Sequence, residues 1–268
     1  MPNVLQKPPV YDAAAFVGMR KAGKLAAQVL EYIAPFVTEG ASTDELNTLC
    51  HNFIVDHGAV PAPLHYRGFP KSVCTSINQV VCHGIPGPKR LKKGDILNID
   101  VTVIVDGWYG DTSTMFTIDP IAPQHQKLMD TTKQSLDMAI ALVKPGCFLG
   151  DIGHCIQSFV ESKGYSVVRD FCGHGIGDKM HMDPYIPHFD TGKPGPVLTE
   201  GMTFTIEPMV NKGNYKVKIL NDGWTVVTTD NTLSAQWEHT ILVTADGYQV
   251  LTLSKHEVNG QTLGTNGE

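Results

Sequence analysis

Acidic residues recur at related places in two parts of the chain. Leu91–Asp100 ends on an aspartate, and Leu198–Glu207 repeats its pattern 107 positions later and ends on a glutamate. Asp106-Gly107 favours a two-residue type I′ turn, and such a turn places Thr102 opposite Asp111 on paired strands. Asp100 and Asp111 then share one face of a hairpin as diagonal neighbours, roughly 7–8 Å apart at the backbone. Their carboxylates can therefore converge.

A fourth carboxylate, Glu238, lies in Trp237-Glu238-His239-Thr240, where the first part of the chain has Asp111. Symmetry predicts that all four carboxylates meet at one centre. Like charges inside a fold are costly unless cations neutralise them. Two glycine-flanked histidines, His83 and His174, precede the carboxylates of their own halves. Oxygen-rich ligation with one imidazole suits a pair of Mn, Fe(II), Co or Zn ions, which favours hydrolase chemistry.

The chain also contains a weak copy of itself at an offset of 106, which indicates two related halves. Six pairs match in register: Leu30 with Leu136, Val37 with Val143, Gly40 with Gly146, Leu46 with Ile152, Phe53 with Phe159, and Gly58 with Gly164.

The elements that must position these residues form two helix pairs and several strands. Apolar spacing predicts a helix from Asp12 to about Pro35, and a capping box of Ser42 and Glu45 predicts a second helix that stops at Gly58. Further helices are predicted near 125–143 and 151–163, a hairpin around Asp106-Gly107, and strands at 202–209, 215–220, 224–229 and 235–244. We expect an α+β fold with strands meeting at the centre and helices outside.

The predicted organisation is a single domain over 12–255, made of halves at about 12–120 and 121–255, with tails at 1–11 and 256–268. The chain has 268 residues, and 21 basic against 27 acidic residues give a net charge of −6. This balance argues against a dedicated DNA or anionic-membrane binder. The absence of a long apolar run or secretory pattern predicts a cytoplasmic protein. Six cysteines without a C-x-x-C pair are expected to be free thiols.

As a set, the motifs closely resemble those of the type I methionine aminopeptidases, over about residues 13–255. They are Asn98-Ile-Asp-Val, Gly110-Asp-Thr-Ser, Cys172-Gly-His-Gly-Ile-Gly and Phe204-Thr-Ile-Glu-Pro-Met. The resemblance implies the pseudo-twofold pita-bread fold, with a central antiparallel sheet. It also implies removal of the N-terminal methionine from nascent chains, with a small second residue preferred and a metal-bridged water attacking the scissile carbonyl.

Roles are implied residue by residue by the same resemblance. Asp100 would chelate one metal ion, His174 and Glu207 the other, while Asp111 and Glu238 bridge the two. Glu207 would also move a proton from the water. The other site residues implied are His83 and His181, which would hold the scissile amide and its tetrahedral intermediate, and Tyr66, Phe69, Cys74 and Trp224, which would line the methionine pocket.

Two positions depart from the family pattern, namely Pro63, where cysteine is common, and Met180, where phenylalanine is common. Because of these two departures, the resemblance does not determine the shape of the methionine pocket. The remaining eight of the eleven histidines, including His239 beside Glu238, are assigned to the surface or to packing.

Three other functions fit part of the pattern. Proline-specific peptidases of the same fold use the same five ligand types, although they usually carry an additional N-terminal domain. A non-catalytic peptide-binding module would have lost its ligands, whereas all five are present. An iron oxygenase would need two histidines and one carboxylate.

A basic loop with Lys212, Lys216 and Lys218 suggests contact with ribosomal RNA. We expect the protein to be a monomer.

Overall fold

The computed structural model describes residues 9–255 and residue 257. Its α-helices are α1 (Ala13–Ile33), α2 (Thr43–Asp56), α3 (Pro123–Ile140) and α4 (Leu149–Ser162). Its strands are β1 (Val60–Pro61), β2 (Cys74–Ile77), β3 (Val80–Cys82), β4 (Ile96–Val105), β5 (Trp108–Thr117), β6 (Ser166–Val167), β7 (Gly173–Gly175), β8 (Met182–Ile186), β9 (Thr203–Ile206), β10 (Met209–Asn211), β11 (Val217–Ile219), β12 (Val226–Thr228), β13 (Ser234–Gln236), β14 (His239–Val243) and β15 (Tyr248–Val250).

The first half is built on the long β4–β5 hairpin. Asp106 and Gly107 have φ angles of 51° and 86°, so the turn takes the left-handed conformation that its sequence predicts. Thr102 pairs with Asp111, which confirms the predicted register. β1 and β2 pair with β4, and α1 packs over β4 and β5. Gly110 permits this contact, because a Cβ there would lie 2.4 Å from the Ala22 carbonyl carbon.

The second half carries a five-stranded sheet in the order β15-β14-β9-β7-β8. Three-stranded sheets in the orders β13-β10-β6 and β11-β12-β3 complete the strand pairing, and every pair is antiparallel. α3 and α4 pack together over this half, and their apolar faces share a core with Phe204 and Ile206 of β9. α1 and α2 share a second core with the inner residues of β4.

The internal repeat is visible in the backbone. α2 and α4 are both 14 residues long and begin 106 positions apart. The N–H of Gly40 donates to the carbonyl of Leu91 at 2.9 Å, and the N–H of Gly146 donates to the carbonyl of Leu198 at 2.9 Å. Gly40 and Gly146 have φ angles of 87° and 90°. The two halves therefore share one scaffold, as the aligned sequence pairs predict.

Two of the predicted strands are interrupted. The segment predicted at 202–209 is β9 and β10, separated at Glu207-Pro208, where proline has no N–H to continue a ladder. The segment predicted at 235–244 is β13 and β14, separated at Trp237-Glu238, because the Glu238 backbone pairs with Ser113 of the first half instead.

Contacts extend slightly past both predicted domain boundaries. The Tyr11 hydroxyl donates to Asp178 Oδ1 at 2.9 Å, and Glu257 Oε1 lies 3.2 Å from His239 Nε2. The rest of the predicted tails, residues 1–8, 256 and 258–268, lies outside the described residues. All six cysteines are free thiols, as expected. Across the described chain, the helices are too short or too polar for any of them to span a bilayer.

Candidate metal centre and substrate cavity

The hairpin supplies Asp100 and Asp111 to a shared cavity. Asp100 lies inside β4 opposite Ser113, and Asp111 lies two residues before Ser113 on β5, so both point to the same face. Thr102 donates a hydrogen bond from Oγ1 to Asp111 Oδ1 at 2.8 Å, which fixes one carboxylate oxygen. Asp111 is buried, with 5% of its surface exposed.

Glu238 comes from the second half and is tied to the hairpin through its backbone. Its N–H donates to the Ser113 carbonyl at 3.2 Å, and its carbonyl accepts from Thr112 Oγ1 at 2.7 Å. Thr240 Oγ1 donates to the Asp111 carbonyl at 2.8 Å, just beside this bridge. These bonds cross from one half to the other and bring Glu238 against Asp111.

His174 and Glu207 complete the cluster. One ligand atom each from Asp111, His174 and Glu238 lies within 4.8 Å of the others. His174 Nε2 is 3.7 Å from Asp111 Oδ2 and 3.6 Å from Glu207 Oε1. The His174 N–H donates to Thr205 Oγ1 at 3.0 Å, and that hydroxyl donates onward to Glu207 Oε1 at 2.7 Å.

The electrostatics of this cluster favour a bound cation. Burial raises the pKa of Asp100 to about 7. Burial and then the charges of neighbouring carboxylates raise the pKa values of Asp111, Glu207 and Glu238 well above their usual range. Among the described residues that line the cavity, Arg67 alone carries a fixed positive charge, and it is exposed.

The donor set fits divalent metal ions. Four carboxylates that repel one another are stabilised by a cation between them. Burial, and then the neighbouring His181, lowers the pKa of His174 to about 3, so its imidazole is neutral and has a lone pair for a metal. Carboxylate oxygens with one imidazole nitrogen suit Mn, Fe(II), Co or Zn.

All eleven residues singled out from the sequence line one cavity of about 350 Å³. The carboxylates and His174 form one part of its wall, and aromatic side chains form another. The Phe69 and Trp224 rings meet edge to face at 5.2 Å, and Cys74 lines the same cavity with its thiol pKa raised by burial. Pro63 and Met180, the two departures from the family pattern, line the same cavity.

His83 and His181 lie beside these aromatic residues. His181 Nδ1 is 2.8 Å from the Tyr66 hydroxyl, and the His181 ring centroid is 4.2 Å from that of His174. The His83 ring meets Phe171 edge to face at 5.5 Å. Burial lowers the pKa of both His83 and His181, the latter to about 4, so both rings are neutral.

Sequence reasoning missed several residues that support this site. His188, assigned only to surface or packing, is fully buried, and its Nε2 accepts the Glu207 N–H at 3.1 Å. Gln236 Nε2 donates to Glu207 Oε2 at 3.3 Å. Arg67 lines the cavity mouth with a φ of 48°. None of the three had a local sequence signal, because each reaches the site through tertiary packing.

Comparison with known proteins identifies a family and relatives that share this architecture. Residues 17–245 match the metallopeptidase family M24. A methionine aminopeptidase of Rickettsia prowazekii (strain Madrid E) is 54% identical over 251 residues, covering 93% of this chain and 97% of that protein. The crystal structure of methionine aminopeptidase from Thermotoga maritima has a TM-score of 0.90 at 38% identity, covering 92% of this chain and 99% of that chain.

A more distant structure shares only the fold. Prolidase from Pyrococcus furiosus has a TM-score of 0.74 at 19% identity, covering 92% of this chain and 66% of that chain. This chain belongs to the metallopeptidase family M24, and within it to the methionine aminopeptidases. The predicted resemblance, the pita-bread fold and the metal-dependent exopeptidase class are confirmed.

Proposed function

We propose that this chain removes the N-terminal methionine from nascent proteins and peptides, prefers a small second residue, and uses two divalent ions. The observation that carries the proposal is the convergence of four carboxylates and one imidazole in a cavity that also has an aromatic wall. The 54% identical relative named methionine aminopeptidase supports the methionine specificity over the proline-specific alternative. A non-catalytic module is disfavoured because all five donors are present at the cavity.

In this proposal Asp100 would hold one ion, His174 and Glu207 would hold the other, and Asp111 and Glu238 would contact both. The 4.8 Å grouping of Asp111, His174 and Glu238 supports the bridging role, and the 3.6 Å separation of His174 and Glu207 supports their pairing. When bound, such ions supply an acidified water and polarise a carbonyl.

Proton transfer falls to Glu207. In this proposal its carboxylate, which lies at the cavity beside the other acidic residues, would accept a proton from the attacking water. Thr205 and Gln236 hold its two oxygens by hydrogen bonds. The carboxylate is therefore oriented before the substrate arrives.

His83 and His181 stabilise the developing oxyanion. In this proposal the Tyr66 hydroxyl, 2.8 Å from His181 Nδ1, is the donor, which leaves the His181 proton on Nε2 and available to the substrate. A neutral imidazole donor placed in a cavity away from bulk water stabilises negative charge that forms on the carbonyl oxygen. These two histidines thus act on the transition state rather than on the metal.

In this proposal the methionine side chain of the substrate packs against the aromatic side chains of the cavity. Tyr66, Phe69 and Trp224 offer ring contacts to a thioether, and such sulfur–aromatic contacts contribute about 0.3–1.5 kcal/mol each. Cys74 and Met180 add polarizable sulfur at the same cavity. A branched or charged first residue would leave these contacts unmade.

The direct test compares Met-Ala-Ser with Ala-Pro-Ala as substrates. The protein is stripped with a chelator and refilled separately with Mn, Fe(II), Co or Zn, and the release of free methionine and of free alanine is measured. We expect methionine release only in refilled samples, with at least one of the four ions. Release of alanine from Ala-Pro-Ala without methionine release would instead support the proline-specific enzyme.

We also propose that the basic loop contacts ribosomal RNA and that the protein acts as a cytoplasmic monomer. Lys212, Lys216 and Lys218 are all exposed around the β11–β12 hairpin. Changing all three lysines to glutamate should weaken ribosome binding in a sedimentation assay and leave hydrolysis of Met-Ala-Ser intact. The matched control changes three exposed lysines elsewhere, Lys24, Lys89 and Lys92, to glutamate. Equal binding by the two triple variants would contradict a role for the loop.

A further inference from the structure

The peptide that carries Glu207 lies outside the strand ladder. β9 ends at Ile206, which pairs with His239 of β14, and Pro208 follows Glu207. The Glu207 N–H is instead donated to the imidazole Nε2 of His188 at 3.1 Å. A buried backbone N–H without an acceptor is costly, so this imidazole replaces the strand partner.

The His188 ring is used only as an acceptor. His188 is fully buried, and its Nδ1 has no hydrogen-bond partner within the described part of the chain. Because Nε2 accepts a hydrogen bond, the ring proton must lie on Nδ1. A side chain that served packing alone would be apolar and would leave no buried donor unpaired.

The backbone around His188 is fixed from outside by α4. Gly153 faces the chain on either side of His188, where a Cβ would lie 2.7 Å from the Pro187 carbonyl oxygen and 2.4 Å from the Phe189 carbonyl oxygen. Gln157 Oε1 accepts the N–H of Asp190 at 2.7 Å. The helix therefore holds the His188 segment close to the end of β9. The hydrogen bond from the Glu207 N–H to the His188 imidazole then fixes the position of the Glu207 backbone relative to α4.

We infer that His188 is a positioning residue, whose Nε2 fixes the Ile206–Glu207 peptide so that the Glu207 carboxylate faces the other metal-site carboxylates. The inference rests on the proposed function in taking Glu207 as a metal ligand and proton acceptor. Thr205 and Gln236 fix the carboxylate oxygens, whereas His188 fixes the backbone from which that carboxylate extends. Outer partners of metal ligands of this kind typically change metal affinity by about 10- to 100-fold.

The first test needs no variant. In the metal-free protein labelled with ¹⁵N, NMR distinguishes a protonated ring nitrogen from one that accepts a hydrogen bond. We expect His188 to be neutral, with the proton on Nδ1 and Nε2 coupled across the hydrogen bond to the Glu207 amide. A proton on Nε2 would overturn the inference, whether or not the chain hydrolyses methionyl peptides.

The second test compares three variants. His188→Leu removes the acceptor, His188→Gln places an amide oxygen near the Nε2 position, and His51→Leu is the control. His51 loses a comparable bond, from Nδ1 to Ser72 Oγ at 2.8 Å, away from the cavity. The measurements are Mn²⁺ affinity of the metal-free protein by calorimetry, kcat and KM for Met-Ala-Ser, and the free energy of unfolding.

For His188→Leu we expect Mn²⁺ affinity to fall about 10- to 100-fold and kcat to fall with little change in KM. His188→Gln should recover most of both, and His51→Leu should lose stability but neither Mn²⁺ affinity nor kcat. Unchanged Mn²⁺ affinity in His188→Leu, or an equal loss in His51→Leu, would reduce His188 to a packing residue. If no variant or wild-type protein hydrolyses Met-Ala-Ser while the affinity pattern holds, the substrate proposal fails and the positioning role stands.

Discussion

The two halves place equivalent carboxylates by different means. Asp100 and Glu207 are repeat-mates, and each follows a glycine with a φ near 90°, Gly94 and Gly201. Asp100 lies inside a ten-residue strand with β2 and β5 on its two sides, so its backbone is held by strand pairing. Glu207 lies just past the end of β9, where His188 takes the place of a strand.

This difference shows how a duplicated scaffold can carry an unsymmetrical site. The helices, the glycine turns and the Leu91 and Leu198 contacts are preserved in both halves. The hairpin of the first half has no equally long counterpart in the second, where Glu238 pairs with Ser113 across the centre. The second half thus depends on side-chain contacts and on the first half to place its two carboxylates.

The largest expected effect comes from removing one proposed metal ligand in each half. Asp100→Asn and Glu207→Gln should each lower kcat/KM for Met-Ala-Ser by about 10³-fold or more, because several kcal/mol of metal-dependent stabilisation is lost. Steady-state kinetics with saturating metal ion measures both. His181→Ala is the comparison, because it should lower mainly kcat without loss of metal. A rate close to wild type in either carboxylate variant would remove that residue from the site.

Metal removal should destabilise the centre where the halves meet. Without cations the four carboxylates repel one another across the interface, and loss of a ligand present at about 100 times its Kd corresponds to about 2.7 kcal/mol, or roughly 5–10 °C in Tm. Differential scanning calorimetry at pH 7.5, before and after chelation and after refilling, measures the shift. An unchanged Tm after verified metal loss would contradict a cation between these carboxylates.

Contacts of Lys255 and Glu257, near the C-terminal end of the described residues, also join the two halves, and we expect a smaller effect on stability from their loss. Glu257 contacts His239 and Lys133 of the second half, while the N–H of Lys255 donates to Glu31 of α1. Burial alone would raise the Glu257 pKa, but the His239 hydrogen bond and the charges of His239 and Lys133 outweigh it and lower the pKa to about 2. Glu257→Gln should therefore reduce the free energy of unfolding by about 2 kcal/mol at pH 7.

The difference in free energy of unfolding between wild type and Glu257→Gln should depend on pH. The folded pKa lies below the unfolded value of about 4.3, so the contact stabilises fully above that value and its contribution disappears as the pH falls towards 2. Urea unfolding of wild type and Glu257→Gln from pH 7 to pH 2.5 measures it. A difference that grows on acidification would show that the ionised carboxylate is not the stabilising form.

The smallest expected effect tests the shared scaffold itself. Gly40→Ala and Gly146→Ala both force a side chain into a positive φ at equivalent positions, and each should cost about 1 kcal/mol of stability. Similar costs would support equivalent roles in the two halves. A cost confined to one half, measured by urea unfolding, would show that the shared hydrogen bonds are not energetically equivalent.

The strongest sequence signals were periodic or local. The Asp106-Gly107 turn fixed the register that places Thr102 opposite Asp111, and the Ser42–Glu45 capping box fixed the start of α2. The repeat offset matched Glu207 to Asp100, and the symmetry of the two halves predicted that Glu207 and Glu238 would meet the hairpin carboxylates, which all line one cavity. These predictions succeed because turn chemistry and side-chain periodicity act over a few residues.

Contacts between distant side chains were not predictable in this way. No periodicity relates His188 to the Glu207 N–H, and nothing in Trp237-Glu238 shows that the backbone leaves one ladder to pair with Ser113. Short strands such as β1 and β6, of two residues each, carry too little pattern to detect. Such features depend on tertiary packing rather than on local propensity.

The hydrogen bonds that cross the centre also limit how the molecule can move. Thr112, Thr240 and Asn98 each donate a side-chain bond to the backbone of the opposite half. A hinge opening between the halves would break all of these buried bonds at once, so the cluster of carboxylates and His174 forms a rigid base of the cavity. The rim is less constrained, because Arg67, which lines the cavity, lies with His65 in an exposed turn with left-handed backbone angles.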